Sequence, residues 1–142
     1  MDGTVIDYVK YRDGHANLGK QSLRVQIVAF PSNLTVKGLD GKALFSVPWG
    51  NFENAHSAPV SKEGLASVGA VVLGSIPILE FFASSFIQGF WLRYWDNDIQ
   101  RQQDIFFETG SERKADQVVR KIFQYRDQYH RQTRNVSGPQ RR

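Results

Sequence analysis

The stretch from Gly64 to Leu92, GLASVGAVVLGSIPILEFFASSFIQGFWL, constrains this chain more than any other, because it is apolar or small almost throughout and carries Glu80 as its only charge. Such a segment must be covered by a core, a partner or a bilayer. As core it would supply one or two buried strands and a loop, a role its valines and isoleucines suit. It is nevertheless longer than two short strands of a small sheet require. Gly64, Gly69 and Gly74 recur at every fifth position, and small residues let backbones approach closely, as membrane helix pairs do. Pro77 then interrupts, and Phe81, Phe82, Phe86, Phe90 and Trp91 make the second part strongly aromatic. A membrane-spanning helix takes about 20 apolar residues. The charge-free run from Gly64 to Leu79 is shorter, and extending it would place Glu80 near the bilayer centre at a cost of roughly 3 kcal/mol. Three readings stay open: buried core strands, an apolar hairpin or insertion that dips into one leaflet or packs on a partner subunit, and, disfavoured by length, a complete span. If the segment makes external contacts, Ile76, Leu79, Phe81, Phe82, Phe86 and Trp91 are the side chains to make them.

The 142 residues suit one domain, able to bury about two-thirds of the surface its unfolded chain exposes. There is no cysteine, which excludes disulfides, thiolate metal sites and thiol nucleophiles, and fits a reducing, cytoplasmic setting. The opening residues MDGTVIDYVKYRD have neither the basic start nor the apolar run of a signal peptide. Charge is uneven: residues 99–142 hold ten Lys or Arg against five Asp or Glu, whereas residues 1–63 hold seven against six. The positive excess therefore sits at the C-terminal end, as a solvated helix face or as a surface for an anionic partner.

The first half alternates like β-structure. Thr4 to Tyr11 reads as a strand closed by Arg12-Asp13-Gly14, and His15 to Ser22 as a loop. Leu23, Val25, Ile27 and Ala29 alternate with Arg24 and Gln26 in a second strand, which Pro31-Ser32-Asn33 ends. Asn33 to Gly38 follows with Leu34 and Val36 on one face. Asp40-Gly41 is a hairpin signal before a strand at Ala43 to Trp49, in which Ala43, Phe45, Val47 and Trp49 share a face. Pro48 marks an edge or an end, since it has no N–H to donate. After the apolar segment, Phe90, Leu92 and Tyr94 alternate with Trp91, Arg93 and Trp95, and Asp104 to Thr109 forms a further strand after a polar connection at Asp96 to Gln103. Trp49 and Trp95 both read as core aromatics.

Thr109 or Ser111 can cap a helix running from about 112 to 132, with Glu112 placed well against its dipole. Ala115, Val118, Ile122, Tyr125 and Tyr129 form its buried stripe, widened by Val119 and Phe123. Asp116 with Arg120, and Asp127 with Arg131, stand four apart in the favourable order. Residues 135–142 read as a frayed basic tail. The whole is an α+β chain, mainly β, with one domain over residues 1–134.

Strands, a hairpin, more strands and a closing amphipathic helix resemble the pleckstrin-homology-like superfold, and in particular a bacterial group of such proteins. The segments that carry the likeness are Val9 to His15, Val47-Pro48-Trp49, Gly69 to Gly74, Leu92 to Asp98 and Ile105 to Thr109. The resemblance spans roughly residues 10–135 and implies a strongly bent antiparallel sheet, or partly open barrel, plugged at one end by the C-terminal helix. It implies binding of phosphoinositides, peptides or proteins. The lipid-binding kind uses a basic pocket between the first two strands; here Lys10, Arg12, Lys20 and Arg24 are diluted by Asp7 and Asp13, which speaks against specific phosphate capture.

Chemistry is poorly supplied. His15, His56 and His130 fall in a turn, after a strand and on the outer side of the helix, with no metal-ligand spacing, and Asp96-Asn97-Asp98 lacks the glycine and glutamate of a calcium loop. No catalytic residue, metal or cofactor is expected, and no small-molecule substrate. The expected function is a non-catalytic interaction module that binds a protein partner or a second copy at or near the inner face of a membrane. The alternatives are a peripheral or integral membrane protein anchored by residues 64–92, with Arg120, Lys121 and Arg126 as a basic surface, and, weakest, nucleic-acid binding through the helix, whose cations are interleaved with Asp116 and Asp127.

Overall fold

Short-range alternation builds two meanders that share one sheet. In the computed structural model, which describes residues 3–61 and 86–137, the first comprises β1 (Thr4–Asp13), β2 (Leu23–Ala29), β3 (Asn33–Gly38) and β4 (Ala43–Pro48). A single 3-10 turn at Trp49–Asn51 leads into β5 (Phe52–Ser57) and the very short β6 (Val60–Ser61). The chain is described again from β7 (Phe86–Ile87), followed by β8 (Gly89–Asp96), β9 (Arg101–Glu108) and helix α1 (Glu112–Ser137). Seven strands form an antiparallel sheet in the order β4-β3-β2-β1-β9-β8-β5, not closed into a barrel, while β6 and β7 pair separately as a two-stranded ribbon.

The sheet is strongly curled. Register shifts interrupt β1 at Val5/Asp7 and Tyr11/Asp13, and β5 at Phe52/Asn54; such bulges bend strands and increase twist. The curl brings β4, at one end of the strand order, close enough to β8 that Phe45 stacks on Tyr94 with ring centres 5.9 Å apart. Inside lies the main core, in which Tyr11, Val25, Ile27, Leu34, Val36, Val47, Phe90, Leu92, Ile105 and Phe107 are fully buried.

Helix α1 closes one end. Ser111 Oγ accepts from the Lys114 backbone N–H, so Ser111 and not Thr109 is the cap. Ala115, Val118 and Ile122 are fully buried, and Val119, Phe123, Tyr125 and Tyr129 pack partly buried beside them, which is the stripe read from the spacing. Asp116 is engaged by the Ser57 hydroxyl at 2.5 Å, tying the first turns of α1 to β5.

Several boundaries differ from the sequence reading. β1 runs two residues further, to Asp13, and α1 five further, to Ser137, so the first three residues assigned to a frayed tail are helical. β9 begins at Arg101, leaving only residues 97–100 as the connection after β8. Gln103 takes an inward position there, buried and fully hydrogen-bonded, and a polar residue in that slot hides the alternation. Ala43 is exposed, off the face shared by Val47 and Trp49, and Trp95 is 37% exposed whereas Trp49 is buried. Trp95 occupies an outward position of β8, so the expectation that both tryptophans are core holds for Trp49 alone.

Residues 62–85 lie outside the described residues, and with them Ile76, Leu79, Phe81 and Phe82. Among the described residues no helix is long and apolar enough to cross a membrane.

Ile122→Ala should lower the free energy of unfolding by about 3 kcal/mol, the usual cost of a core cavity of this kind, in a urea titration followed by tryptophan fluorescence. Gly89→Ala should cost about 2 kcal/mol in the same titration, because the added Cβ would sit 2.0 Å from the Phe107 carbonyl oxygen and 2.6 Å from the Phe106 ring.

Candidate interaction sites

Three surfaces gather the residues singled out by sequence, and one more that sequence did not reveal. The first is the neck of the apolar segment. β6 and β7 pair as Val60↔Ile87 and Ser61↔Phe86, so the chain on either side of residues 62–85 leaves and returns at one place. That ribbon does not sit in the main core. Val60 and Ile87 cluster with Phe106 and Trp91, and Phe106 points away from its neighbours Ile105 and Phe107, which face inward. Trp91 is half-buried with its ring 5.1 Å from that of Phe106, and Phe86 is half-buried in β7. Of the six predicted contact residues, the structure places Trp91 in that seat on the outer face of the sheet and Phe86 in the β6–β7 neck, next to Ile87.

The second surface is the outer side of α1. Arg120 and Lys121 are exposed, as a basic face requires. Arg126 differs: its guanidinium lies 5.1 Å from the Phe123 ring centre and 5.6 Å from that of Phe52, and pairs with Asp127 at 3.0 Å. Its stem and head cover the rim of the core, so it is committed to packing as much as to charge.

The third is the region between β1 and β2. Lys10 faces Arg24 across these strands and borders a cavity of about 470 Å³ with Tyr8, Leu39, Glu108 and Lys114. Two of its cations are answered: Arg12 pairs with Glu108 at 2.5 Å, and Lys114 donates to the Tyr8 carbonyl at 2.8 Å and lies 3.7 Å from Asp7. The carboxylate that meets Arg12 is Glu108 of β9, while Asp7, one of the two that diluted the region in sequence, lies near Lys114 of the helix.

The fourth is a cleft of about 300 Å³ where the curled sheet stays open, between β4, the loop after β1 and the turn joining β8 to β9. His15, assigned by sequence to a turn, is in fact buried there. Its ring stacks on Phe45 with centres 4.4 Å apart, and Phe45 stacks in turn on Tyr94, giving three layered rings. The loop is pinned from below: the Tyr11 hydroxyl donates to the Gly19 carbonyl at 2.6 Å and accepts from the His15 N–H at 3.0 Å. Burial pushes the Tyr11 hydroxyl pKa up to about 12 and raises that of Tyr94 above its usual value.

Gln103 holds the cleft together. Its Oε1 accepts from the Ala16 N–H at 2.6 Å, and its Nε2 donates to Asp96 Oδ2 at 2.6 Å and to the Tyr94 hydroxyl at 3.0 Å. Asp96 Oδ1 accepts from the Asp98 N–H at 2.8 Å, so Asp96-Asn97-Asp98 is a hydrogen-bonded turn, as its residue types suggest. A polar residue at an inward strand position, next to an acidic turn, is the sequence signal that could have located this cleft. Among the described residues no three His, Asp or Glu side chains are grouped to hold a metal ion. His56 lies within β5, exposed, and not after a strand.

No protein-family model, no curated protein and no solved structure matches this chain.

Burial lowers the His15 pKa, opposed by the nearby Asp96 carboxylate, so the folded protein takes up the imidazole proton at lower pH than the unfolded chain does. Its stabilising contribution is then complete above about pH 6.5 and is lost as the pH falls below that value. The urea midpoint should therefore drop between about pH 7.5 and about pH 5.5, and the drop should shrink in His15→Gln.

Proposed function

We propose that this chain is a non-catalytic interaction module that docks through the apolar excursion between Ser61 and Phe86, with a protein surface as its partner and a second copy of itself as the first candidate. One observation carries the reading: the neck is seated on the outer face of the sheet, by Val60 and Ile87 on Phe106 and Trp91, while the main core on the inner face is filled by other residues. An apolar segment issuing from that face needs cover beyond the main core.

The pairing of β6 with β7 also limits the membrane alternative. A single crossing would leave the two ends of the segment on opposite sides of the bilayer, whereas the neck keeps them adjacent. Folded back as a helical hairpin, residues 62–85 would give arms of ~18 Å, well short of the ~30 Å hydrocarbon core. A lone strand hairpin would leave its edge groups unsatisfied in lipid. Membrane attachment through this segment is thereby reduced to insertion into one leaflet, a setting in which Arg120 and Lys121 could meet anionic headgroups if the helix faced them.

The curled antiparallel sheet with a helix over one end supports the pleckstrin-homology-like reading of the architecture, in which such a module binds and does not catalyse. A cytoplasmic site of action, at the inner face of a membrane, accords with the cysteine-free composition.

Light scattering on the full chain should give a mass above the monomer. Replacing residues 62–85 by a short Gly/Ser linker should return the monomer with its circular-dichroism spectrum and cooperative unfolding intact. A full chain that is monomeric, binds no apolar-surface dye and does not float with vesicles would overturn the proposal, because the segment would then be covered within its own domain.

A further inference from the structure

The cleft at the open edge of the sheet carries a second binding role, at the end of the β8–β9 hairpin opposite to the neck. Its charge is unlike that of the protein as a whole. The chain has a formal net charge of +4, yet the described residues lining the cleft include Asp96 and Asp98 and no Lys or Arg. The Asp98 side chain is exposed, and no hydrogen bond or ion pair from the described residues engages it. His15 adds no positive charge near neutral pH, since burial lowers its pKa.

Shape and stiffness point the same way. The wall is aromatic: Phe45, half-buried between His15 and Tyr94, and Trp95, 37% exposed, both line it, and an exposed ring face is a region of negative potential that attracts cations. The volume of about 300 Å³ accommodates a single long side chain and is small for a cofactor. Gln103, spending both ends of its amide on Ala16, Tyr94 and Asp96, fixes the loop and the turn against each other before any ligand arrives, which reduces the ordering cost of binding.

The border of the cleft adds a backbone component. Leu44, Phe45, Ser46 and Pro48 of β4 line it, and β4 is the last strand on that side of the sheet. Among the described residues no strand pairs with its outer side, which suits an extended segment lying alongside, the mode in which main-chain bonds give affinity and a side-chain pocket gives specificity. The His15 ring faces the same space with one nitrogen left over: Nδ1 accepts from the Asn17 N–H at 3.1 Å, which places the imidazole hydrogen on Nε2, where no hydrogen bond to the described residues is made. A peptide carbonyl is the acceptor such a donor requires.

We infer that this cleft receives an arginine side chain from an extended segment of a partner polypeptide, with the guanidinium between the aromatic wall of Phe45 and Trp95 and the Asp96 and Asp98 carboxylates. Arginine is chosen over lysine because its planar group can stack on an aromatic face while its N–H fork meets a carboxylate. The site is separate from the neck, so its failure leaves the docking role of residues 62–85 untouched, and failure of that role leaves this cleft as it stands.

The test is a titration of the isotope-labelled full chain with the capped peptide acetyl-Gly-Arg-Gly-amide, followed by amide chemical shifts. Saturable shifts should appear at Phe45 and at Tyr94 to Ile99. The same peptide with citrulline, which keeps the shape and removes the charge, should bind about tenfold more weakly. Asp98→Asn, which alters an exposed carboxylate and leaves the fold's contacts alone, should weaken the arginine peptide by a similar factor and leave the citrulline peptide unchanged. Equal binding of the two peptides, an unaffected Asp98→Asn variant, or shifts confined to other surfaces would each overturn the inference.

Discussion

From Ile105 to Phe107 strand β9 is buried on both of its faces, and the rest of the structure is arranged around that. Ile105, Phe106 and Phe107 are each fully buried, although consecutive side chains of a strand point in opposite directions. Ile105 and Phe107 enter the main core, where Phe107 lies 6.1 Å from Tyr11 edge to face and 5.1 Å from Phe90 in a stack. Phe106 looks the other way and carries the ribbon of β6 and β7 with Trp91. Because β9 also bridges the two meanders, pairing with β1 on one side and β8 on the other, the core and the neck of the apolar excursion are fastened to a single strand. Displacing the ribbon of β6 and β7 would therefore uncover Phe106 on the strand that joins the halves of the sheet.

The open edge is the opposite limit of the same design. Curling brings Phe45 against Tyr94, but among the described residues β4 pairs with β3 and not with β8 or β5, so the gap is closed by side chains: the His15–Phe45–Tyr94 stack on one side and the Gln103 amide on the other. Where backbone ladders hold a sheet together, side chains are free to serve only packing. Where side chains do the closing, they must combine rings, amides and carboxylates, and the result is a cleft with chemical character. The two candidate sites thus occupy the two ends of the β8–β9 hairpin for different reasons, one because an apolar ribbon needs a seat and the other because a sheet fails to close.

How far the sequence disclosed this follows from which forces write themselves into local order. β2 and β3 were legible to the residue, because each alternates Val, Ile or Leu inward against polar neighbours and ends at Pro31 or at the Asp40-Gly41 turn. The helix stripe was legible because Ala115, Val118 and Ile122 keep a helical period against one core. Its far end was not, since residues beyond Tyr129 carry no apolar rhythm to mark where the turns stop. The start of β9 was hidden by Gln103, whose inward side chain is satisfied by partners from three separate segments. Burial of His15 was hidden for the same reason, because the ring that covers it belongs to β4, thirty positions away in the chain.

Local pattern, then, records which face of an element is greasy, and distant pairing decides what meets it. The double burial of β9 illustrates the boundary between the two. Its run of three apolar residues announces that both faces are covered, but not by what. The inner cover could be inferred from the alternation of β8 and the stripe of α1, which have apolar surface to match. The outer cover could not, because Val60 and Ile87 are two residues of an otherwise unremarkable connection, brought together across the long apolar stretch by a ribbon of two pairs. The same ribbon converts that stretch from a possible membrane crossing into a closed excursion. A constraint of two backbone pairs, invisible to hydropathy, therefore fixes where the two ends of that stretch stand relative to each other.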